Sequence, residues 1–161
     1  KVKKDNYTFK QLFEEFKKSN ESNIEEFTQF SQLVGKTINR VYINDDRSKL
    51  CFLTNDNEYH CYYANGDCCN SVWFNHFNGI DFVLFQRVND VISKTWIDVD
   101  ISDRVMSQEC EEACVWTLIT SKGYIDIELR NNHNGYYGGT ISHQLESRNS
   151  TNNMEIIYDD F

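Results

Sequence analysis

The sequence predicts an α+β fold: a mainly antiparallel β-sheet core with an N-terminal helical pair packed on it. Apolar residues recur at helical spacing up to Gly35 and at two-residue spacing beyond it. Aromatics are plentiful (11 Phe, 9 Tyr, 3 Trp), which favours strands and a bulky core. Turn signals such as Asn65-Gly66 and Asn78-Gly79 punctuate the second region at strand-like intervals. A chain of 161 residues is the size of one domain. It divides into a helical extension over 1–34, a β-rich core over 35–145 and a tail over 146–161. No internal repeat is visible.

In order, Phe9, Leu12, Phe13 and Phe16 mark a first helix over Tyr7–Lys18. Ile24, Phe27, Phe30, Leu33 and Val34 mark a second, with Asn23 as its cap and Gly35 as its stop. Ile38, Val41 and Ile43 then open a strand, turned by Asp45-Asp46-Arg47-Ser48 into a partner over Lys49–Thr54. A turn at Asn55-Asp56-Asn57 leads to a strand through Tyr59, Cys61 and Tyr63, and Asn65-Gly66 leads to another over Cys68–Phe77. Ile80–Phe85 reads equally as a helical turn or a buried strand, and Val88–Val99 as extended chain. An acidic loop over Asp98–Glu112 precedes the clearest hairpin, Ala113–Thr120 with Gly123–Leu129. There Ile125, Ile127 and Leu129 alternate with Asp126, Glu128 and Arg130. Gly139–Leu145 is a further strand, and Met154–Tyr158 a short edge strand.

Proline is absent where ordinary usage of about 5% would give roughly eight. Alanine occurs only at Ala64 and Ala113. Both residues have GC-rich codons, so the composition points to an AT-rich genome. The net charge of −9 disfavours direct binding to a phosphate backbone and favours attraction to a basic protein surface. No apolar run approaches the ~20 residues of a membrane span, and the first residues, which begin at Lys1 and not at Met, show no charged n-region followed by an apolar h-region. The six cysteines are therefore expected to be reduced, mostly buried thiols in a cytoplasmic protein. Sequons at Asn6, Asn20 and Asn149 carry little weight in so Asn-rich a chain.

Two stretches stand out: Asp67-Cys68-Cys69-Asn70-Ser71-Val72, and Asn134-Gly135-Tyr136-Tyr137-Gly138-Gly139. Together with Leu33-Val34-Gly35-Lys36-Thr37-Ile38, Val115-Trp116-Thr117 and Lys122-Gly123-Tyr124-Ile125, they resemble a family of small bacterial and phage proteins classed as a domain of unknown function. The resemblance covers roughly residues 33–145. It implies a compact, strand-rich fold in a phage or mobile-element context, and no activity. The family pattern has a Glu where this chain has Asn70 and a His where it has Ala64. A polar or metal site built on those two positions is expected to be lost here.

Asp67, Cys68, Cys69, Gly135, Gly138 and Gly139 are read as a structural motif. Zinc at Cys68 and Cys69, completed by Cys110-x-x-x-Cys114, His60 or His76, weighs less, because adjacent cysteines in a strand point to opposite faces. Cysteine catalysis lacks a local signature joining any of the four histidines to a thiol. Asp98-x-Asp100-x-Ser102 with Glu109 has part of a calcium-loop register, but Asp103 stands where the sharp turn needs Gly. Asn134–Gly139 has no Lys, so it is no phosphate-binding loop.

The reading that follows is a non-enzymatic, acidic interaction protein of phage or mobile-element type. Its partner is a host protein with a basic surface, for instance a nucleic-acid-binding or defence protein that it inhibits; no cofactor and no metal are expected. The candidate partner-binding residues are Asp98, Asp100, Asp103, Glu109, Glu111, Glu112, Asp126 and Glu128, with Tyr136 and Tyr137 as an aromatic anchor. The alternative is a small metal-binding or Cys-dependent accessory enzyme centred on Cys68 and Cys69.

Overall fold

The computed structural model describes residues 29–66, 70–93, 96–100, 110–133 and 138–161. Its strands are β1 (Ile38–Ile43), β2 (Lys49–Thr54), β3 (Tyr59–Asn65), β4 (Ser71–Asn78), β5 (Val88–Ser93), β6 (Ile97–Val99), β7 (Cys110–Thr120), β8 (Tyr124–His133), β9 (Thr140–Glu146) and β10 (Glu155–Ile156). One helical turn, α1 (Ile80–Val83), and two 3-10 turns, Ser31–Leu33 and Arg148–Thr151, complete the described elements. The strands form two antiparallel sheets. The first runs β10-β1-β2-β3-β9; the second runs β4-β8-β7-β5, with β6 also on β7.

The alternation in β8 shows why these segments are strands. Ile125, Ile127 and Leu129 are fully buried, while the residues between them stay partly exposed. The same inward faces of both sheets supply one continuous core. Leu50, Phe52 and Tyr62 from the first sheet meet Phe74, Phe77, Trp116 and Leu118 from the second. Phe30 is the hub, its ring centroid 4.3 Å from that of Tyr62 and 5.6 Å from that of Trp116. Each such side chain contributes about 1.5–3 kcal/mol on burial. The tail stitches the layers: the Ile157 amide donates to the Val41 carbonyl of sheet one (2.9 Å), and Phe161 exchanges backbone bonds with Phe77 of sheet two.

The α+β expectation is corrected to a mainly β fold. The proposed first helix lies outside the described residues. Of the second, the described part is a turn at Gln29–Phe30, the 3-10 turn Ser31–Leu33, and Val34 in a bridge to Val88. Phe30 and Leu33 are buried as the helical spacing required, but a 3-10 turn and the bridge suffice to bury them. One expected sheet is two.

The architecture is also built twice. Residues 31–78 and 80–146 each run through a helical turn, a residue at positive φ, a bulged strand, a hairpin and a last strand, with β6 added in the second half. Gly35 (φ 84°) corresponds to Phe85 (φ 62°), and β1 to β5. Both first strands shift register at matching places, between Ile38 and Arg40 and between Val88 and Asp90. Where the halves meet, their hydrogen bonds are reciprocal. Gly35 N–H to the Val88 carbonyl (2.7 Å) is matched by Phe85 N–H to the Ile38 carbonyl (2.6 Å). Ile38 N–H to Gln86 (3.1 Å) is matched by Val88 N–H to Lys36 (2.9 Å). Such mutual exchange marks a local two-fold relation.

The last strands are exchanged between halves. β4 follows β3 in the chain but pairs with β8, and β9 follows β8 but pairs with β3. Apart from β10 on the first sheet and β6 on the second, each sheet thus holds three strands from one half and one from the other. A structural repeat is present where the sequence showed none.

Candidate functional site

The strand exchange brings the two singled-out stretches together. Asn70, just before β4, donates its Nδ2 to Asn131 Oδ1 (3.0 Å) and to the Gly138 carbonyl (3.2 Å). Asn65 Nδ2 reaches Ser142 Oγ at 2.8 Å. Gly139 is buried where a Cβ would lie 3.1 Å from a Val72 methyl and 3.2 Å from Asn131 Cβ, so close approach explains the glycine. Gly138 is exposed with open space around it. The amide of Asn70 supplies donors to two acceptors at once. Asp67, Cys68, Cys69, Asn134, Gly135, Tyr136 and Tyr137 lie outside the described residues.

The expected cysteine chemistry is partly corrected. Cys51 and Cys61 form a disulfide with Cα atoms 4.2 Å apart, so these two are not free thiols. The β2–β3 register places them directly opposite each other, which sets up the bond. In the second half the matching positions hold Thr117 and Asp126, joined by a 2.7 Å hydrogen bond. Cys114 is buried, and desolvation pushes its thiol up to about 12, holding it protonated at neutral pH. Cys110 is an exposed free thiol. The β7–β8 pairing sets it opposite His133, whose Nε2 is 3.5 Å from Glu112 Oε1, a juxtaposition sequence reasoning missed. His60 and His76, the proposed zinc partners, lie in different sheets.

His60 instead pairs with His143 across β3–β9, Nδ1 to Nε2 at 2.9 Å. Burial is the leading cause that lowers both imidazole pKa values. Glu58 lies 3.7 Å from His60 and is also bound by Lys36 at 2.5 Å.

The acidic residues separate into engaged and open groups. Glu111 is only 4% exposed and is held by Arg130 at 2.6 Å. Arg130 also binds Glu128, which accepts the Asn75 amide at 3.0 Å. Asp126 is bound by Thr117, and Glu112 is half-buried beside His133. Asp126 and Glu128 stand on the outer face of sheet two, as the alternation predicted, but half-buried. Asp98, on β6, and Asp100 are exposed, while Asp103 and Glu109 lie outside the described residues.

The more open carboxylates gather elsewhere. A groove of about 410 Å³ runs between the Asp45 turn and the tail. Asp45, Glu155 and Asp159 line it, all exposed, and none is in an ion pair among the described residues. Tyr158 projects beside them, 71% exposed. Arg47 lines the same groove and is engaged within it: its guanidinium lies 4.6 Å from the ring centroid of Phe161, also in the lining, and donates to the Asn75 carbonyl at 3.0 Å. Asp160 is engaged too, accepting from the Gly79 and Ile80 amides at 2.8 Å each. Asp45 and the acidic chain end were visible in sequence; their convergence through the β1–β10 pairing was not.

A model described as a domain of unknown function (DUF7448) matches residues 31–143. The chain belongs to this family. Its domain therefore spans both structural halves and stops before the end of β9. A viral relative, uncharacterized protein L278 of Acanthamoeba polyphaga mimivirus, is 28% identical over 108 residues, covering 65% of this chain and 83% of the viral protein. No solved structure matches the chain significantly. No helix among the described residues is long and apolar enough to cross a membrane.

Proposed function

We propose that this DUF7448 protein is a non-enzymatic interaction protein of a virus or mobile element. It occupies a basic surface on a host protein, of the kind that otherwise receives nucleic acid, and so acts as an inhibitor inside the host cell. The observation that carries this reading is the groove of Asp45, Glu155 and Asp159, three exposed carboxylates with no ion-pair partner among the described residues. The net charge of −9 extends the same field over the molecule and steers a basic partner toward it. Tyr158 beside the groove supplies the large amphipathic side chain that interface centres favour. The viral relative supports the setting.

The test is capture from a host lysate by the immobilised full chain and by the Asp45→Asn/Glu155→Gln/Asp159→Asn variant. The reading predicts a basic protein held by the wild type at low salt, released at high salt and absent from the variant. Added DNA or RNA should displace it. Capture of the same protein by the variant, undiminished, rejects the groove as the interface.

A further inference from the structure

A second pocket has the opposite chemistry. It lies on the outer face of sheet one, has a volume of about 590 Å³, and is lined by Arg40, Tyr42, Asn57, Tyr59, Ser147 and Arg148 among others. That volume falls within the roughly 300–1,000 Å³ of small-ligand sites. Neither Arg40 nor Arg148 is in an ion pair among the described residues. The one carboxylate in the lining, Glu146, is already engaged by Lys49 (3.3 Å) and by the Tyr63 hydroxyl (2.5 Å). Two arginines without an ion pair among the described residues thus line one pocket in a protein of net charge −9.

The rest of the lining is aromatic and polar. Tyr42 is nearly buried beneath the pocket, and its ring centroid lies 6.5 Å from that of Tyr59. Arg40 Nη1 lies 3.5 Å from the Tyr42 hydroxyl, which ties the guanidinium to the edge of the aromatic floor. Asn57 and Ser147 add hydrogen-bonding groups at the rim. Glu146, Ser147 and Arg148 lie beyond the family-matched residues, so the family domain alone does not complete the pocket.

We propose that this pocket binds a nucleoside phosphate. The phosphate lies between Arg40 and Arg148, whose planar donor sets match its oxygens. The base packs on the Tyr42–Tyr59 floor, as bases do on aromatic platforms. A small anion without a ring leaves that floor uncovered, and a ring without the phosphate leaves the arginines unsatisfied.

The experiment is calorimetric titration of the full chain with the four common ribonucleoside monophosphates, the matching nucleosides and inorganic phosphate. At least one monophosphate should bind saturably, one per chain, with its nucleoside and inorganic phosphate each weaker by roughly ten-fold or more. Arg40→Gln and Arg148→Gln should each weaken it by a similar factor while circular dichroism stays unchanged, since both side chains are exposed. No saturable monophosphate binding overturns the proposal. So does affinity unchanged in both variants, or inorganic phosphate that binds as tightly as the nucleotide. The acidic-groove variant should bind the nucleotide as the wild type does, which keeps the two sites distinguishable.

Discussion

Phe85 holds a left-handed backbone conformation (φ 62°) at the position where the first half uses Gly35 (φ 84°), and its ring is 72% exposed. A Cβ in that region costs about 1–2 kcal/mol, and an exposed ring recovers little of it. Phe85→Gly is therefore expected to raise stability by about 1 kcal/mol in urea unfolding, with the Phe85 N–H bond to Ile38 retained. Gly35→Ala should lower it by a similar amount. The imidazoles of His60 and His143 make stability depend on pH near neutrality. Their folded pKa values are lowered, so the stability they confer is complete above the ordinary His value of 6.5 and is lost as pH falls below it toward the folded values. Unfolding midpoints measured from pH 7.5 to 5 should drop below about 6.5, and His143→Gln should flatten that drop. A wild-type profile that is flat through this window would contradict the burial of the pair. Neither residue effect could be read from the sequence. Gly35 was visible as a helix stop, but the equivalence of Phe85 rests on hydrogen bonds between segments fifty residues apart.

At the scale of elements, the local hairpins were legible and the long-range pairings were not. β8 shows strict alternation, and Asp45–Ser48 and Asn55–Asn57 are turn sequences, so each hairpin partner lies within a few residues. β4 and β9 have partners half a chain away, and no periodicity encodes which sheet they join. The repeat stayed hidden because it conserves conformation and not residues: a disulfide in one half is a Thr117–Asp126 hydrogen bond in the other, and six-residue β2 answers to eleven-residue β7. The Cys51–Cys61 bond closes a loop with a separation of 10 residues, for which loop-closure entropy gives about 2–3 kcal/mol. Reduction, or a Cys51→Ala/Cys61→Ala variant, should lower stability by that amount and leave the strand signature in circular dichroism. The partners lie directly opposite in an existing hairpin, which holds them together without the bond.

For the whole molecule, charge was legible as a total and not as a map. The sequence shows carboxylate clusters at Asp45-Asp46, at Asp56 and Glu58, along Asp98–Glu112 and at Asp126 with Glu128, with the partner face placed on the last two, yet Glu111, Asp126 and Glu128 all have protein partners. Three exposed carboxylates converge where the Asp45 turn meets the chain end, a neighbourhood made by the tail returning along β1. The same tail closes the arginine pocket, so one acidic protein presents two sites of opposite charge. Surface electrostatics of this kind act over a Debye length of ~8 Å at physiological ionic strength. The association rate of the captured partner, followed against salt for the wild type and for the Asp45→Asn/Glu155→Gln/Asp159→Asn variant, tests the interaction reading most directly. The account predicts a rate that falls several-fold as salt rises for the wild type and a slow, nearly salt-independent rate for the variant. Equal rates for the two proteins at every salt concentration would contradict it.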